Sequence, residues 1–474
     1  MTSECVRRSD RVARRILASL AAVMVAGAIP LTHAASANPS AATQAQPASP
    51  APGPAKPAAP ATLTKFERER GRMILNIVRA DVEKYYYDPT FHGLDLDRLF
   101  KSASESIDAA QTTNDLFTAI AVPLFRLNDS HTSFLPPSRV ARMTHGWVAQ
   151  MIGDRCFVTA VQPGSDAEAQ GLKRGDEILE IEGDRPVRAN LDTILWMQRV
   201  VAPQTRTALT ILQPGGRPET LRIHAKVVTG QAITDLRNTM DINDYMRDVG
   251  DDAYFGRHRM VPIKEELLVW KMPGFNMGAD EVKTKLLRQV RKYPKLIIDL
   301  RGNGGGAVEM LETLVGGLVG PDTKIADWKG RKPRPPMMAR KAGDVYEGTI
   351  LVLVDSFSAS ASELLARTLQ LTGRGTVLGD RTAGAVMVSQ TFDHMAGGDR
   401  TGVTFATSIT VADLIMTDGR SLEHTGVVPD EVILPTAEDL ASDRDPVLAR
   451  ALELFGLIAT PETAGRMFPM EWGR

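Results

Sequence analysis

The sequence predicts a multidomain α/β (α+β) protein, with a helical leading unit, a small β unit and a larger α/β core. Three observations carry that reading. Between Lys65 and Leu127 apolar residues fall at helical spacing, as Ile74, Ile77, Val78 and Val82 and again as Leu116, Phe117, Ile120, Leu124 and Phe125. From Gly146 to Val228 short β-branched runs alternate with glycine and proline turns. Beyond Glu265, two buried-type runs each pass through small residues into a helical pattern, Lys295–Leu300 into the stretch from Val308, and the run from Leu351 into Ala361–Gln370.

Size and composition bound the rest. A chain of 474 residues has room for about three domains. Its 43% hydrophobic and 24% charged content is that of a soluble globular protein. With a formal net charge of -1 and no basic stripe interleaved with aromatics, nucleic acid is not an expected partner. Arg7, Arg8, Arg11, Arg14 and Arg15 precede the apolar run Ile16–Leu31 and a small-residue site ending Thr32-His33-Ala34, so residues 1–34 read as a secretory signal. A membrane anchor is the alternative, but the run is short for a bilayer span and Pro30 sits near its end. The expected location is therefore exported, periplasmic or extracellular, with no stable membrane insertion after signal removal; Arg14-Arg15 points towards twin-arginine export. Residues 35–62, mostly Ala, Pro, Ser and Gln, cannot bury a core and read as a tether. Cys5 would leave with the signal, so Cys156 has no disulfide partner and no cysteine metal cluster is available.

The helical unit, 63–143, carries no chemistry until it closes on Asn128-Asp129-Ser130-His131-Thr132-Ser133, where polar residues crowd together. In the second unit, 144–230, strands are expected at Cys156–Val161, Glu177–Ile181, Thr207–Leu212 and Thr220–Ala225, with a helix near Leu191–Val200. The core, 231–474, opens with a strand at Leu267–Trp270 and a helix at Asp280–Arg291. The strand Lys295–Leu300 then leads into Arg301-Gly302-Asn303-Gly304-Gly305-Gly306. A glycine turn at a helix start lets backbone N–H groups approach an oxygen without an intervening Cβ. The same glycines fail as a dinucleotide fingerprint, because Gly320-Pro321-Asp322 interrupts where a second strand ending in an acid is needed.

Leu351–Gln370, LVLVDSFSASASELLARTLQ, reads as strand, tight turn and helix. Such a turn presents a serine hydroxyl beside the free N–H groups of a helix, where negative charge is stabilised, and Ser360 is the candidate nucleophile. Ser360-x-x-Glu363 is also a capping box, in which the serine only closes the helix.

The run VTAVQPGSDAEAQGLKRGDEILEIEG resembles a PDZ domain. That resemblance implies a peptide added as a strand to an exposed edge, with its terminal carboxylate captured near Gly146, Trp147 and Val148. LIIDLRGNGGG and SFSASASELLARTLQLTGRGTVLGDRTAG, followed by SLEHTGVVPD, resemble the carboxyl-terminal processing (tail-specific) serine peptidases and their tricorn-core relatives. The likeness runs from about Lys65 to Pro435 and implies a ClpP/crotonase-like core. It also implies Ser360 as nucleophile, with Ala361 N–H and a glycine of the Gly304–Gly305 turn as oxyanion donors.

The chain departs from the tail-specific pattern at Thr382-Ala383-Gly384-Ala385-Val386, where Ala385 takes the place of the activating lysine, and no lysine follows Lys341. A serine hydroxyl needs a neighbouring base. His131 matches the histidine segment of the tricorn-like branch. That branch implies an acid at Glu423; Ser130 is a candidate hydrogen-bonding link between the two, and Asp418 and Asp430 are alternative acids. The expected activity is an exported serine endopeptidase that takes a protein or peptide substrate by its C-terminal segment and works through an acyl-enzyme. No metal or organic cofactor is implied, and a homo-oligomer is left open. Two rivals stand beside it: a non-catalytic peptidase-like PDZ scaffold, which would explain Ala385 without His131, and an apolar-ligand binder.

Overall fold

A computed structural model of the chain describes residues 63–137, 141–229, 257–397 and 402–469. The expected signal, the tether and the opening of the third unit lie outside the described residues.

Three helices, Lys65–Tyr85, Leu96–Ala109 and Thr113–Arg126, form the leading unit. Thr64, Asp95 and Thr112 cap their N-termini by accepting N–H groups of the first turn. Ile74, Val78 and Val82 face Ile107, Leu116, Ile120 and Leu124 in one core. That core is completed from far along the chain by Ala396, Phe405 and Ile409. These belong to a long hairpin, Met387–Ala396 with Val403–Met416, which the sequence did not mark. The strand Ser133–Leu135 joins the same sheet, antiparallel to Ala406–Ser408.

The second unit is a five-stranded antiparallel sheet in the order Trp147–Ile152, Arg155–Val161, Glu177–Ile181, Arg206–Leu212 and Glu219–His224. A helix, Leu191–Trp196, continues as a wider-wound turn, Met197–Val201. The edge strand Trp147–Ile152 docks on the core. Gln150 donates to Asp355 at 2.7 Å and Ser356 Oγ donates to the Met151 carbonyl at 2.6 Å. Arg188 pairs with Asp380 beside them.

The core sheet has six strands in the order Glu431–Val432, Gly375–Gly379, Thr349–Val354, Lys295–Asp299, Leu267–Lys271 and Arg259–Ile263. All neighbours are parallel except the last pair. Side chains alternate between two apolar layers: Leu268, Trp270, Ile298 and Val352 face one, Leu267, Val269, Ile297 and Leu353 the other. A sheet covered on both faces needs the nearly continuous apolar runs seen in the sequence. Because Lys295–Asp299 and Thr349–Val354 are parallel neighbours, in register from Lys295↔Thr349 to Asp299↔Leu353, they end side by side. The glycine turn and the serine turn therefore leave the sheet at the same edge, where ligands meet such sheets. Among the described residues no helix is long and apolar enough to cross a membrane.

Candidate active site

Ser360 stands at the head of the helix Ala361–Leu371 with φ 56 and ψ -118. A non-glycine residue rarely holds positive φ, and surrounding contacts must enforce it. Its N–H lies 2.9 Å from the Ala385 carbonyl and 3.1 Å from Glu363 Oε2. The glycine turn is fastened to the same helix start: the Asn303 carbonyl accepts the Ala359 N–H at 3.0 Å and Ser362 Oγ at 2.8 Å. At Gly305, φ 97, a Cβ would lie 2.8 Å from Ser360 Cβ and 3.0 Å from Ala361 N, so the close approach requires glycine there. Of the two glycines expected to donate, Gly305 spends its N–H on Asn303 Oδ1 at 2.8 Å. Among the described residues the N–H groups of Gly304 and Ala361 have no acceptor, so both are free to donate beside Ser360.

A second string forms across the interface with the leading unit. Glu423 Oε1 accepts the Ser130 N–H at 2.7 Å, and Oε2 accepts Ser130 Oγ at 2.9 Å and the Val386 N–H at 2.8 Å. Ser130 Oγ lies 2.6 Å from His131 Nδ1. Asp129 Oδ1 accepts the N–H groups of His131 and Thr132 at 2.9 and 2.8 Å, and the His131 carbonyl accepts Ser408 Oγ at 2.8 Å, which sets the backbone carrying the ring. Ser130 has one hydroxyl proton. Given to Glu423, it obliges His131 Nδ1–H to donate to Ser130 Oγ, so Nε2 is the bare acceptor. Burial holds the His131 ring well below the usual histidine range, with Asp129 opposing. Burial, with the charge of Asp129, pushes the Glu423 carboxyl up to about 8 against the pull of its three donors.

His131 Nε2 is buried and makes no hydrogen bond. The structure thus joins Glu423, Ser130 and His131 in one set and Ser360 with the glycine turn in another, without a hydrogen bond between the two sets. Two consecutive residues span them: Ala385 receives the Ser360 N–H and Val386 donates to Glu423. Asp418 is paired with Arg367 at 2.7 Å and Asp430 accepts the Val377 N–H at 2.8 Å, so both substitute acids are engaged elsewhere.

Gly146, φ 73, turns the chain into the edge strand of the second unit, which begins at Trp147 and continues through Val148. The Trp147 ring is buried under the Arg199 guanidinium at 4.7 Å, and Arg199 donates to the Trp147 carbonyl at 3.3 Å. With Ser356 on Met151, two carbonyls of this strand are already occupied.

Sequence reasoning missed what Glu363 and Thr382 do. Glu363 is fully buried and accepts from Thr382 and from the amides of Gly384 and Ala385 as well as Ser360. No local signal marked its burial: Arg367 and Gln370, at i+4 and i+7 from Glu363, make that helix face read as a solvated one.

Residues 267–433 match peptidase family S41 and residues 142–200 match the PDZ domain. The chloroplastic C-terminal processing peptidase of Tetradesmus obliquus is 27% identical over 390 residues, covering 77% of this chain and 77% of that protein. The tail-specific protease of Haemophilus influenzae is 27% identical over 304 residues, 59% of this chain and 40% of that protein. In fold, the crystal structure of mature CPAF is similar with a TM-score of 0.59 at 15% identity, over 80% of this chain and 95% of that one. The chain is a serine peptidase that carries a family S41 peptidase domain over residues 267–433 with a PDZ domain ahead of it.

Proposed function

We propose that this peptidase is an exported endopeptidase that receives protein or peptide substrates by their C-terminal segment on the PDZ domain. Two relatives, a C-terminal processing peptidase and a tail-specific protease, support that substrate class. Ser360 attacks the scissile carbonyl while His131 Nε2 takes the Ser360 proton. Glu423, acting through Ser130, holds the ring in the accepting tautomer and stabilises the imidazolium. Ala361 and Gly304 N–H groups receive the developing oxyanion. His131 then returns the proton to the leaving amine, and water attacks the acyl-enzyme in the reverse sense.

One observation carries this reading: an unbroken hydrogen-bond string from Glu423 through Ser130 to His131 that ends on a bare nitrogen. Attack requires that nitrogen to close on Ser360. The missing Ser360–His131 hydrogen bond also favours a second reading, a peptide-binding scaffold that no longer cleaves. Labelling with a fluorophosphonate decides. Covalent modification at Ser360, lost in Ser360→Ala and strongly slowed in His131→Ala, is expected for the peptidase. A parent chain that binds a C-terminal peptide but is never labelled would be the scaffold.

A further inference from the structure

Glu363 has more bonding than a helix cap needs. In a capping box the acid returns one hydrogen bond to the N-cap amide. Here Oε1 accepts Thr382 Oγ1 at 2.6 Å and the Gly384 N–H at 2.8 Å, and Oε2 accepts the Ala385 N–H at 2.9 Å and the Ser360 N–H at 3.1 Å. Four donors converge on one side chain. A carboxylate, with about four acceptor sites and no donor, satisfies all of them; a carboxamide would turn an NH2 group towards two of those donors. No salt bridge to Glu363 occurs among the described residues. Burying an unpaired carboxylate is costly, and capping alone does not require it.

Three of the four donors lie on one turn, Thr382–Ala385, at the place where the resembling tail-specific peptidases carry their lysine. That turn is locked to the segment bearing the acid. Thr382 Oγ1 accepts the Val427 N–H at 2.6 Å, and the Gly384 carbonyl accepts the His424 N–H at 2.7 Å. At Gly384, φ 72, a Cβ would lie 3.0 Å from the backbone of His424, Thr425 and Gly426. The adjacent amides of Ala385 and Val386 then point to different carboxylates, Ala385 to Glu363 at 2.9 Å and Val386 to Glu423 at 2.8 Å.

We propose that Glu363 is a positioning residue: its carboxylate clamps Ser360, in its strained backbone conformation, to the Thr382–Val386 turn, and so fixes the nucleophile relative to Glu423, Ser130 and His131. This rests on Ser360 being the nucleophile. The clamp sets the distance over which His131 must act.

The test uses the full-length protein, a fluorophosphonate and a fluorogenic peptide that the parent cleaves. Glu363→Gln is expected to lower both the rate of labelling at Ser360 and kcat by about 100-fold, with KM within about twofold, because misplacement by about 1 Å costs that much. Thr382→Val, which removes one of the four donors, should lower both by about tenfold. Thr382→Ser, which keeps the hydroxyl, should stay within about twofold of the parent. Parent-like labelling and kcat in Glu363→Gln, or a change confined to KM, would overturn the clamp. If Glu363→Gln does not fold, Thr382→Val decides: a parent-like rate, or an equal loss in Thr382→Ser, overturns it. A Ser360→Ala chain that still cleaves is a different failure, since it removes the nucleophile assignment and this inference with it.

Discussion

Thr64-x-x-Glu67 and Ser360-x-x-Glu363 are the same four-residue pattern at the heads of two helices, and they end in opposite environments. At the first, the Thr64 backbone is extended at φ -75 and ψ 163, its N–H donates to Glu67 at 2.7 Å, and the Glu67 N–H returns to Thr64 Oγ1 at 3.2 Å. Hydrogen bonds from the Thr64 amide and hydroxyl hold the Glu67 carboxyl below its ordinary value. At the second, Ser360 sits at positive φ, and burial pushes the Glu363 carboxyl up to about 7 although four donors pull it down. The first is a local device that stabilises one helix. The second ties the helix head to the Thr382–Ala385 turn, so its cost is met by contacts beyond its own helix.

Substitutions at matched positions should separate the two. The largest difference is expected from alanine at the leading residue: Ser360→Ala should remove peptide hydrolysis altogether with little change in melting temperature. Thr64→Ala should leave the turnover rate unchanged and cost about 1 kcal/mol in a denaturant titration. Next comes Ser130→Ala, which strips His131 Nδ1 of its partner and should lower kcat/KM by about 100-fold or more, with no counterpart at Thr64. Gly305→Ala should slow labelling of Ser360 and lower the melting temperature, since its Cβ would meet Ser360 Cβ at 2.8 Å.

The smallest effect is one of sign, read from melting temperature against pH. The raised Glu363 carboxyl contributes stability that is fully present below its unfolded value near 4.5 and is lost as pH rises to about 7. The lowered Glu67 carboxyl contributes stability present above about 4.5 and lost as pH falls. Glu363→Gln, which cannot titrate, should therefore lack the fall in melting temperature that the parent shows between about pH 4.5 and 7. Glu67→Gln should flatten the acid side instead. Equal slopes for the two variants would mean that the environments do not differ as described.

Local pattern carried far in this chain because most elements are locally consistent. The strand at Glu177–Ile181 and the helix opening at Val308 begin where apolar period and turn residues place them. What did not show was contact across long separations. The hairpin Met387–Ala396 with Val403–Met416 completes the core of helices some three hundred residues earlier, and neither strand's own period reports that partner. The site divides in the same way. Ser360 and the glycine turn stand out because a strand, small residues and a helix follow one another in sequence. His131 and Glu423 became candidates through family resemblance alone, because a lone histidine after a helix carries no periodic signal. Glu363 was visible as half of a cap; its burial depends on the Thr382–Ala385 turn and could not be read from four residues.

The amide of Ser130 meets Glu423 across 293 positions of chain, while the hairpin that braces His131 also fills the core of the leading helices. A polypeptide emerging from the ribosome thus holds imidazole, hydroxyl and acid as unconnected groups until nearly its last fifty residues are made. On the proposed mechanism the site is complete only once the fold is, so a copy halted before Glu423 would lack its acid.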